Sequence, residues 1–358
     1  MTDGESTPTG ESRRDGTRRA TDPPVPRGPS TTTVLGVLGL FLSVQLGALA
    51  FAVPFTGGGS GAVANPGDPT FGVVYLVGML VVSGLLLLAV RRGATWVLRG
   101  FAVFSSGLLS WFVLASLLPP LGADAVGSLA AVHVPAAATA AALVVALVVH
   151  PEWYVINLVG VLTGAGAAGL VGVTLGVLPI LVLLVALAAY DAVAVYGTGH
   201  MGTLAGGAVE SRAPVMFVVP GDRSFSYLDG DDETTEEDGG RPPRRPDGGT
   251  TAPSVPTPGG ALFVGIGDAV LPTTLAVSAV AYLPAPLFDL PAVALSLPAV
   301  GALVGTLAGL GLLLVAVDGG RAHAGLPPLN GGAIVGYLVG SLVAGVPLAE
   351  ALGLAAYL

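Results

Sequence analysis

The sequence contains no cysteine and no lysine, and only 10% of its 358 residues are charged. The absence of cysteine excludes disulfides, zinc–thiolate sites and cysteine nucleophiles. Because there is no lysine, all 14 basic residues are arginines, against 23 acidic residues. With 53% hydrophobic residues and a mean hydropathy of +0.81, the chain has too little polar surface for a soluble domain of this size. The composition predicts a helix bundle whose outer solvent is lipid.

Several catalytic signatures are also missing from the chain. There is no HExxH motif of an intramembrane zinc protease, no P-loop and no dinucleotide fingerprint. Gly58-Gly-Ser60-Gly61 lies in a glycine-rich loop and is interpreted as low complexity. His133, in an apolar stretch, is interpreted as a packed or pore-facing polar residue rather than a ligand. The other three histidines lie near predicted membrane surfaces: His150, His200 and His323. We therefore expect no metal, no cofactor and no nucleic-acid partner.

Nine hydrophobic stretches follow a polar N-terminal tail. Residues 1 to about 30 are rich in Pro, Ser, Thr and Gly, and they predict a disordered tail without a secretory signal peptide. Each later stretch is close to the roughly 20 residues that span a bilayer as a helix. The predicted spans are about 32–54, 71–90, 98–119, 126–149, 153–175, 177–199, 261–283, 291–317 and 326–346. The sequence thus predicts an all-α polytopic membrane protein with nine transmembrane helices.

One large loop interrupts the spans. The first six spans occupy residues 31–200 and the last three lie in 261–358, which leaves 201–260 between them. The middle of this loop is mostly acidic and then rich in Arg, Pro and Gly, so it is predicted to be largely disordered. Just before it, Pro214 and Pro220 bound a short β-type run. This run, 215–219, is either a loop packed on the bundle or an edge strand that pairs with an extended substrate.

The arginines predict how the spans are oriented. With nine spans, all 14 arginines lie on the same side of the membrane as the N-terminus. They are Arg13, Arg14, Arg18, Arg19, Arg27, Arg91, Arg92, Arg99, Arg212, Arg223, Arg241, Arg244, Arg245 and Arg321. Because basic residues accumulate in cytoplasmic loops, we expect a cytoplasmic N-terminus and an external C-terminus in the cell membrane. The acidic, lysine-free composition also resembles that of proteins from extreme halophiles.

Two spans carry an aspartate, which is costly in a bilayer and marks a candidate functional site. Asp191 lies about eight residues before the end of the sixth span, and Asp268 about eight residues into the seventh. At about 1.5 Å rise per residue, both carboxylates are predicted roughly 12 Å below the cytoplasmic face. Gly265 and Gly267 precede Asp268 and allow a backbone or a substrate to come close. Two facing carboxylates can share a proton and activate water, as aspartic proteases do.

The ninth span opens at the same face with Pro327-Pro328-Leu329. Two prolines are structurally normal at a helix start, because first-turn amides have no helical partner. The functional interpretation is that a non-helical start borders the catalytic cleft. Elsewhere, glycines recur at every fourth residue in the last two spans and predict close helix packing. These glycines are Gly301, Gly305 and Gly309, and then Gly332, Gly336 and Gly340.

Three motifs together resemble those of presenilin-type intramembrane aspartyl proteases, with an archaeal presenilin-like character. Tyr190-Asp191 is similar to the family's YD motif, Gly265-Ile-Gly267-Asp268 to its GxGD motif, and 327–329 to its PAL motif, with Pro328 in place of the usual Ala. The resemblance implies an intramembrane aspartyl endopeptidase, with Asp191 and Asp268 as catalytic residues. It implies that transmembrane or signal-peptide-like helices are the substrates. The motif residues around the dyad would support the active site: Tyr190, Gly265, Gly267, Pro327, Pro328 and Leu329.

A different class of protein is also compatible with the residues. Asp191 and Asp268 could form the relay of an ion- or proton-coupled transporter, whose helices are commonly interrupted by Gly and Pro. That hypothesis predicts a repeat between the two halves of the chain, which the sequence does not display, and it leaves the Pro-Pro-Leu element without a role. Which of the two aspartates acts as base, and the physiological substrate, stay open at the level of sequence.

Overall fold

The computed structural model describes residues 30–53, 66–118, 134–198, 216–221, 261–288, 290, 292–317, 324–355 and 357. The long helices in these ranges are α1 (Thr31–Ala52), α2 (Pro69–Arg91), α3 (Thr95–Leu117), α4 (Val134–Val149), α5 (Trp153–Thr174), α6 (Val177–Val193), α7 (Ile266–Tyr282), α8 (Leu297–Val317) and α9 (Leu326–Val343). A short helix, α10 (Leu348–Ala351), follows. The predicted N-terminal tail, the acidic part of the 201–260 loop, the 58–61 run and three of the histidines (His133, His200 and His323) lie outside the described residues.

Seven of the described helices are long and apolar enough to cross a bilayer, namely α1, α2, α3, α5, α6, α8 and α9. Helices α4 and α7 are also apolar but shorter, with 16 and 17 residues. At about 1.5 Å per residue they are roughly 24 and 26 Å long, against a hydrocarbon core of roughly 30 Å. The chain is therefore a mostly helical, multi-pass membrane protein, and the prediction of nine spans depends on these two shorter helices.

The prediction of one continuous helix over 261–283 is wrong. Leu262–Gly265 forms a strand, β2, and the helix begins only at Ile266. β2 pairs antiparallel with β1 (Met216–Val219), so that Phe217 lies opposite Val264. The β-type run between the two prolines is thus a strand, although its first residue lies outside the described part. Pairing with each other satisfies the backbone groups of two strands that are almost entirely buried, as an apolar environment requires.

The eighth span also begins later than predicted. Residues 292–296 are not helical, and α8 starts at Leu297 rather than near 291. Ala294 N in this segment donates to the carbonyl of Leu49 at the end of α1, 3.4 Å away, and Ser296 bridges to Leu287. The apolar composition of 291–296 concealed this extended segment, because an apolar run alone does not distinguish a helix from a buried strand-like stretch.

Helix α5 lies at the centre of the bundle and α2 at its edge. About 67% of the most apolar part of α5 is buried, against 6% for α2. α5 packs against α1, α3 and α7, and its small residues permit close contact. A Cβ built on Gly172, for example, would overlap the side chain of Val277 on α7. Small residues therefore allow the helices at the centre of the bundle to pack closely.

The predicted glycine rows do pack α8 against α9. A Cβ on Gly301 or Gly305 would collide with the backbone carbonyl of Gly336 or Gly332 on the other helix. The row continues to Gly309, where a Cβ would collide with the carbonyl of Pro328. Such close backbone contact is how membrane helices associate without a hydrophobic driving force. One end of this seam lies at the first turn of α9.

Candidate active site

Asp191 lies near the C-terminal end of α6, where it is 8% exposed. Its Oδ2 accepts a hydrogen bond from the backbone amide of Leu326, at 3.0 Å, and the backbone of Gly325 also interacts with this carboxylate. Leu326 is the first residue of α9, so its amide has no partner within that helix. The start of α9 therefore binds the carboxylate of Asp191 directly.

Asp268 is the third residue of α7 and lies in its first turn. A carboxylate is favoured there, because the N-terminus of a helix carries a partial positive charge. Gly265 caps the helix, and a Cβ built on it would lie 3.2 Å from Asp268 Oδ2. A Cβ on Gly267 would meet nothing within 4 Å. The two glycines of the motif thus have different surroundings: one lies against the carboxylate and the other faces open space.

A proline further along α7 also affects Asp268. Pro272 lies inside the helix, four residues after Asp268. It has no amide hydrogen to donate to the Asp268 carbonyl, so the regular helical hydrogen bond is absent at this point. In the next turn the hydroxyl of Thr273 donates to Ala269 O, at 2.6 Å. The turn that carries Asp268 therefore lacks one regular helical hydrogen bond of α7.

The structure brings the two aspartates together. Their carboxylates are close enough for an electrostatic interaction between Asp191 and Asp268. The geometry differs from the prediction, which assumed a helical rise over the whole stretch before Asp268. Part of that stretch is β2, which rises about 3.3 Å per residue instead of 1.5 Å. The carboxylates are near each other because Asp191 lies at the end of α6 and Asp268 at the start of α7. An equal number of helical residues between each aspartate and the membrane surface is not the reason.

The predicted non-helical start of the last span is wrong, since 326–330 is helical. Pro327 and Pro328 occupy the first turn, where a missing amide hydrogen costs nothing. The turn nevertheless borders the site, because the amide just before the prolines donates to Asp191. Leu329 is fully buried in a cluster that also contains Phe217 of β1. The helical start of α9 thus contacts both Asp191 and the strands.

The tyrosine that contacts this turn is not the one in the motif. Tyr190 is 38% exposed, whereas the neighbouring Asp191 is buried. Tyr196 lies in a π-helical turn, Ala194–Thr198, and its hydroxyl accepts a hydrogen bond from Ala324 N at 3.2 Å. Tyr196 was not predicted from the sequence, because nothing in the local pattern indicates the π turn.

Two buried asparagines were missed as well. Asn330 on α9 is fully buried and its Nδ2 donates to Leu184 O on α6, at 3.0 Å. Asn157 on α5 is 8% exposed and hydrogen-bonds to β1. The signal was present in the sequence: a side-chain amide inside an apolar span is costly unless it has a partner.

The chain is similar to known proteins over most of its length. A family model described as signal-peptide peptidase, presenilin aspartyl protease matches residues 38–346. The chain belongs to this family. Two solved structures of a presenilin family intramembrane aspartate protease are similar to it, one in space group C222 and one in P2.

The first has 31% sequence identity, covers 87% of this chain and 99% of its own, and has a TM-score of 0.58. The second has 30% identity, covers 86% and 97%, and has a TM-score of 0.55. No curated protein matches the chain significantly. The family and both structures identify the protein as an intramembrane aspartyl protease, and therefore as a hydrolase.

Proposed function

We propose that Asp191 and Asp268 are the catalytic pair of this protease. They share one proton, so that one carboxylate acts as general base toward water while the other donates to the scissile carbonyl. The observation that supports this pairing is the electrostatic interaction between the two carboxylates, which lie near the C-terminal end of α6 and in the first turn of α7. Two like charges that interact in a medium of low dielectric constant are costly, and a shared proton removes that cost.

The residues around the pair have distinct roles in this proposal. The Leu326 amide orients Asp191 through its hydrogen bond, and the prolines at 327 and 328 follow it in the first turn of α9. Gly265 gives the Asp268 carboxylate room. The exposed backbone at Gly267 allows a substrate peptide to approach Asp268. Leu329 anchors the turn in the core, and Tyr190 borders the site from the outer side of α6.

The substrate in this proposal is a single-span or signal-peptide-like helix in the bilayer. A helical peptide bond is protected by its own hydrogen bonds, so the segment must unwind before the carboxylates can act on it. We also propose nine spans, with α4 and α7 crossing the membrane despite their length, a cytoplasmic N-terminus and an external C-terminus. That arrangement places the site near the cytoplasmic face, at the ends of the spans that flank the 201–260 loop.

The experiment that tests the proposal is cleavage of a reporter transmembrane peptide by the purified protein. We expect Asp191→Asn and Asp268→Asn each to lower kcat on the order of 10²–10⁴-fold, since each carboxylate has its own proton to transfer. Circular dichroism should be unchanged. Near-normal cleavage by either variant would overturn the assignment. Ion flux through proteoliposomes, lost in the same variants, would instead favour the transporter hypothesis.

Asp68→Asn is a matched control for these substitutions. Asp68 lies before α2, and its Oδ1 accepts a hydrogen bond from Thr70 N at 2.9 Å. That backbone hydrogen bond lowers the pKa of Asp68, so the wild-type residue is charged at neutral pH. The variant therefore removes a carboxylate outside the proposed site, and asparagine can cap a helix equally well. Its cleavage rate should equal that of the wild type.

A further inference from the structure

The side chain of Asn157 binds β1 as a neighbouring strand would. Asn157 Nδ2 donates to Val218 O at 2.7 Å, and Val218 N donates to Asn157 Oδ1 at 2.8 Å. One primary amide therefore pairs with both polar backbone groups of one strand residue. Both partners are buried, at 8% and 2% exposure, so the unpaired groups would be costly.

The two hydrogen bonds also determine which edge of β1 is occupied. In an antiparallel pair, the backbone groups of successive residues point to opposite edges of the strand. Since the groups of Val218 point to Asn157, those of Phe217 and Val219 point to β2, where they lie opposite Val264 and Leu262. Both edges of β1 thus have a partner at its centre. A substrate strand cannot pair with Val218 while Asn157 does, which argues against the hypothesis that 215–219 pairs with substrate.

Small residues on α5 continue the same contact toward the catalytic helix. A Cβ built on Gly160 would lie 2.9 Å from the ring of Phe217 and 3.0 Å from Ile266 Cδ1. A Cβ on Gly164 would lie 3.3 Å from Ile266 Cγ2. Positions 157, 160 and 164 follow helical spacing, so they form one face of α5. This face contacts β1 first and then Ile266, the residue at which α7 begins, two positions before Asp268.

We propose that Asn157 is a positioning residue for Asp268. Its amide holds β1 in one register on α5, β1 holds β2, and β2 leads within three residues to Asp268. Asn157 does not touch the reacting atoms in this proposal. It determines where the N-terminus of α7, and hence one catalytic carboxylate, lies relative to the other. The inference rests on the catalytic pair proposed above.

Substitution of Asn157 by aspartate distinguishes a positioning role from a general structural role. A protonated carboxyl has one acceptor and one O–H donor, like the amide, and can pair with both groups of Val218. The ionised carboxylate only accepts and would face the Val218 carbonyl. For Asn157→Asp, the ratio of kcat to that of the wild type should therefore fall as the pH rises from about 5 to about 8. For Asn157→Leu, the ratio should be low and flat, with kcat reduced by about 10²-fold and KM little changed.

The surroundings and a matched control make this result interpretable. The titratable side chains on α5, just before it and on the helices packed against it are His150, Glu152, Tyr154, Arg99 of α3, and Asp268 and Tyr282 of α7, while β1 and β2 carry none. All of them are also present in the wild type, so the ratio of rates cancels their titration. Thr163→Val is the control, because Thr163 is equally buried on α5 but its hydroxyl donates to Val159 O within the helix. Its kcat should match the wild type.

Amide hydrogen exchange separates the failure of this inference from the failure of the proposed function. In Asn157→Leu, exchange should be faster over 216–221 and 261–268 than in the wild type or Thr163→Val. Unchanged exchange there overturns the inference, whether or not the reporter is cleaved. So does a flat pH ratio for Asn157→Asp, or a raised KM with normal kcat in Asn157→Leu. If the wild-type protein cleaves no transmembrane reporter, the proposed function is contradicted. Amide hydrogen exchange in Asn157→Leu still tests whether Asn157 holds the strands in place.

Discussion

At the scale of single residues, the two glycines before Asp268 should behave differently. Gly265→Ala places a Cβ 3.2 Å from Asp268 Oδ2, so the carboxylate or the strand must shift. A displacement of about 1 Å at a catalytic group can cost about 10²-fold in rate, so we expect kcat to fall by up to that factor. Gly267→Ala meets no atom within 4 Å in the free protein. It should leave thermal stability unchanged and raise KM, because the Cβ occupies space that the substrate needs.

Steady-state cleavage of one reporter peptide by both variants is the measurement. A normal KM for Gly267→Ala, together with a normal kcat, would mean that the substrate does not approach Asp268 from that side. A normal kcat for Gly265→Ala would mean that the carboxylate tolerates the displacement. The two variants make the same substitution two residues apart in one motif, so each serves as the control for the other. Their melting temperatures should be compared alongside their rates.

Tyr196 allows a second residue-scale prediction. Tyr196→Phe removes the hydroxyl that accepts from Ala324 N, two residues before the Leu326 amide that binds Asp191. One hydrogen bond contributes about 1 kcal/mol, so we expect kcat to fall roughly fivefold. Tyr154→Phe is the matched variant, since Tyr154 also has a hydroxyl partner, His150, at 2.9 Å. Equal rates for both variants would show that the Tyr196 contact does not orient the start of α9.

At the scale of elements, the seam between α8 and α9 connects helix packing to the site. Gly309→Ala places a Cβ against the carbonyl of Pro328, in the first turn of α9. Overpacking of this kind costs about 1–3 kcal/mol, and here it also displaces the turn that binds Asp191. We expect a lower melting temperature and a kcat reduced by at least about tenfold.

Gly311→Ala is the control on the same helix, since a Cβ there meets nothing within 4 Å. Alanine is favoured over glycine inside a helix, so its stability should be equal or slightly higher. A third variant, Gly301→Ala, tests the direction of the effect. It collides with Gly336 farther along the seam, so it should lower stability without an equal loss of kcat. If Gly309→Ala and Gly301→Ala reduced kcat equally, the loss would reflect helix packing in general.

The helices could be predicted from the sequence, whereas the non-helical segments β2 and 292–296 could not. Long apolar runs identified the helices, because lipid leaves the chain few alternatives to a helix. β2 was missed since its four apolar residues continue into an apolar helix without a polar break. The late start of α8 was missed for the same reason. Apolar runs of four to eight residues are compatible with either structure, and only the partner strand decides between them.

The candidate site was predictable where its residues are chemically conspicuous. Asp191 and Asp268 stood out because charge is rare in a span. Tyr196 did not, because its role comes from a contact with a segment 128 residues away in the chain. Its partner is a backbone amide, and backbone groups carry no signature in a sequence. A side-chain amide inside a predicted span indicates a candidate site residue, as a carboxylate there does.

At the scale of the whole molecule, the orientation in the membrane depends on α4 and α7. If both cross the bilayer, nine spans leave all 14 arginines on one side, and the two termini lie on opposite sides. If just one of them fails to cross, the segments after it are inverted and the arginines are divided between the two faces. α7 can be extended by β2, whose four residues add about 13 Å to its roughly 26 Å. We therefore expect α7 to reach across.

A cysteine-accessibility experiment tests this topology, and the absence of native cysteine makes it simple. Single cysteines near the N-terminus and at 240 should be protected from a membrane-impermeant thiol reagent in intact cells and labelled after lysis. A cysteine after residue 357 should be labelled in intact cells. Labelling of both termini in intact cells, or of neither, would mean an even number of spans, and α4, at about 24 Å, would be the first helix to doubt. The cysteine at 240 separates the cases: it should be labelled in intact cells if α4 does not cross, and stay protected if α7 alone does not cross.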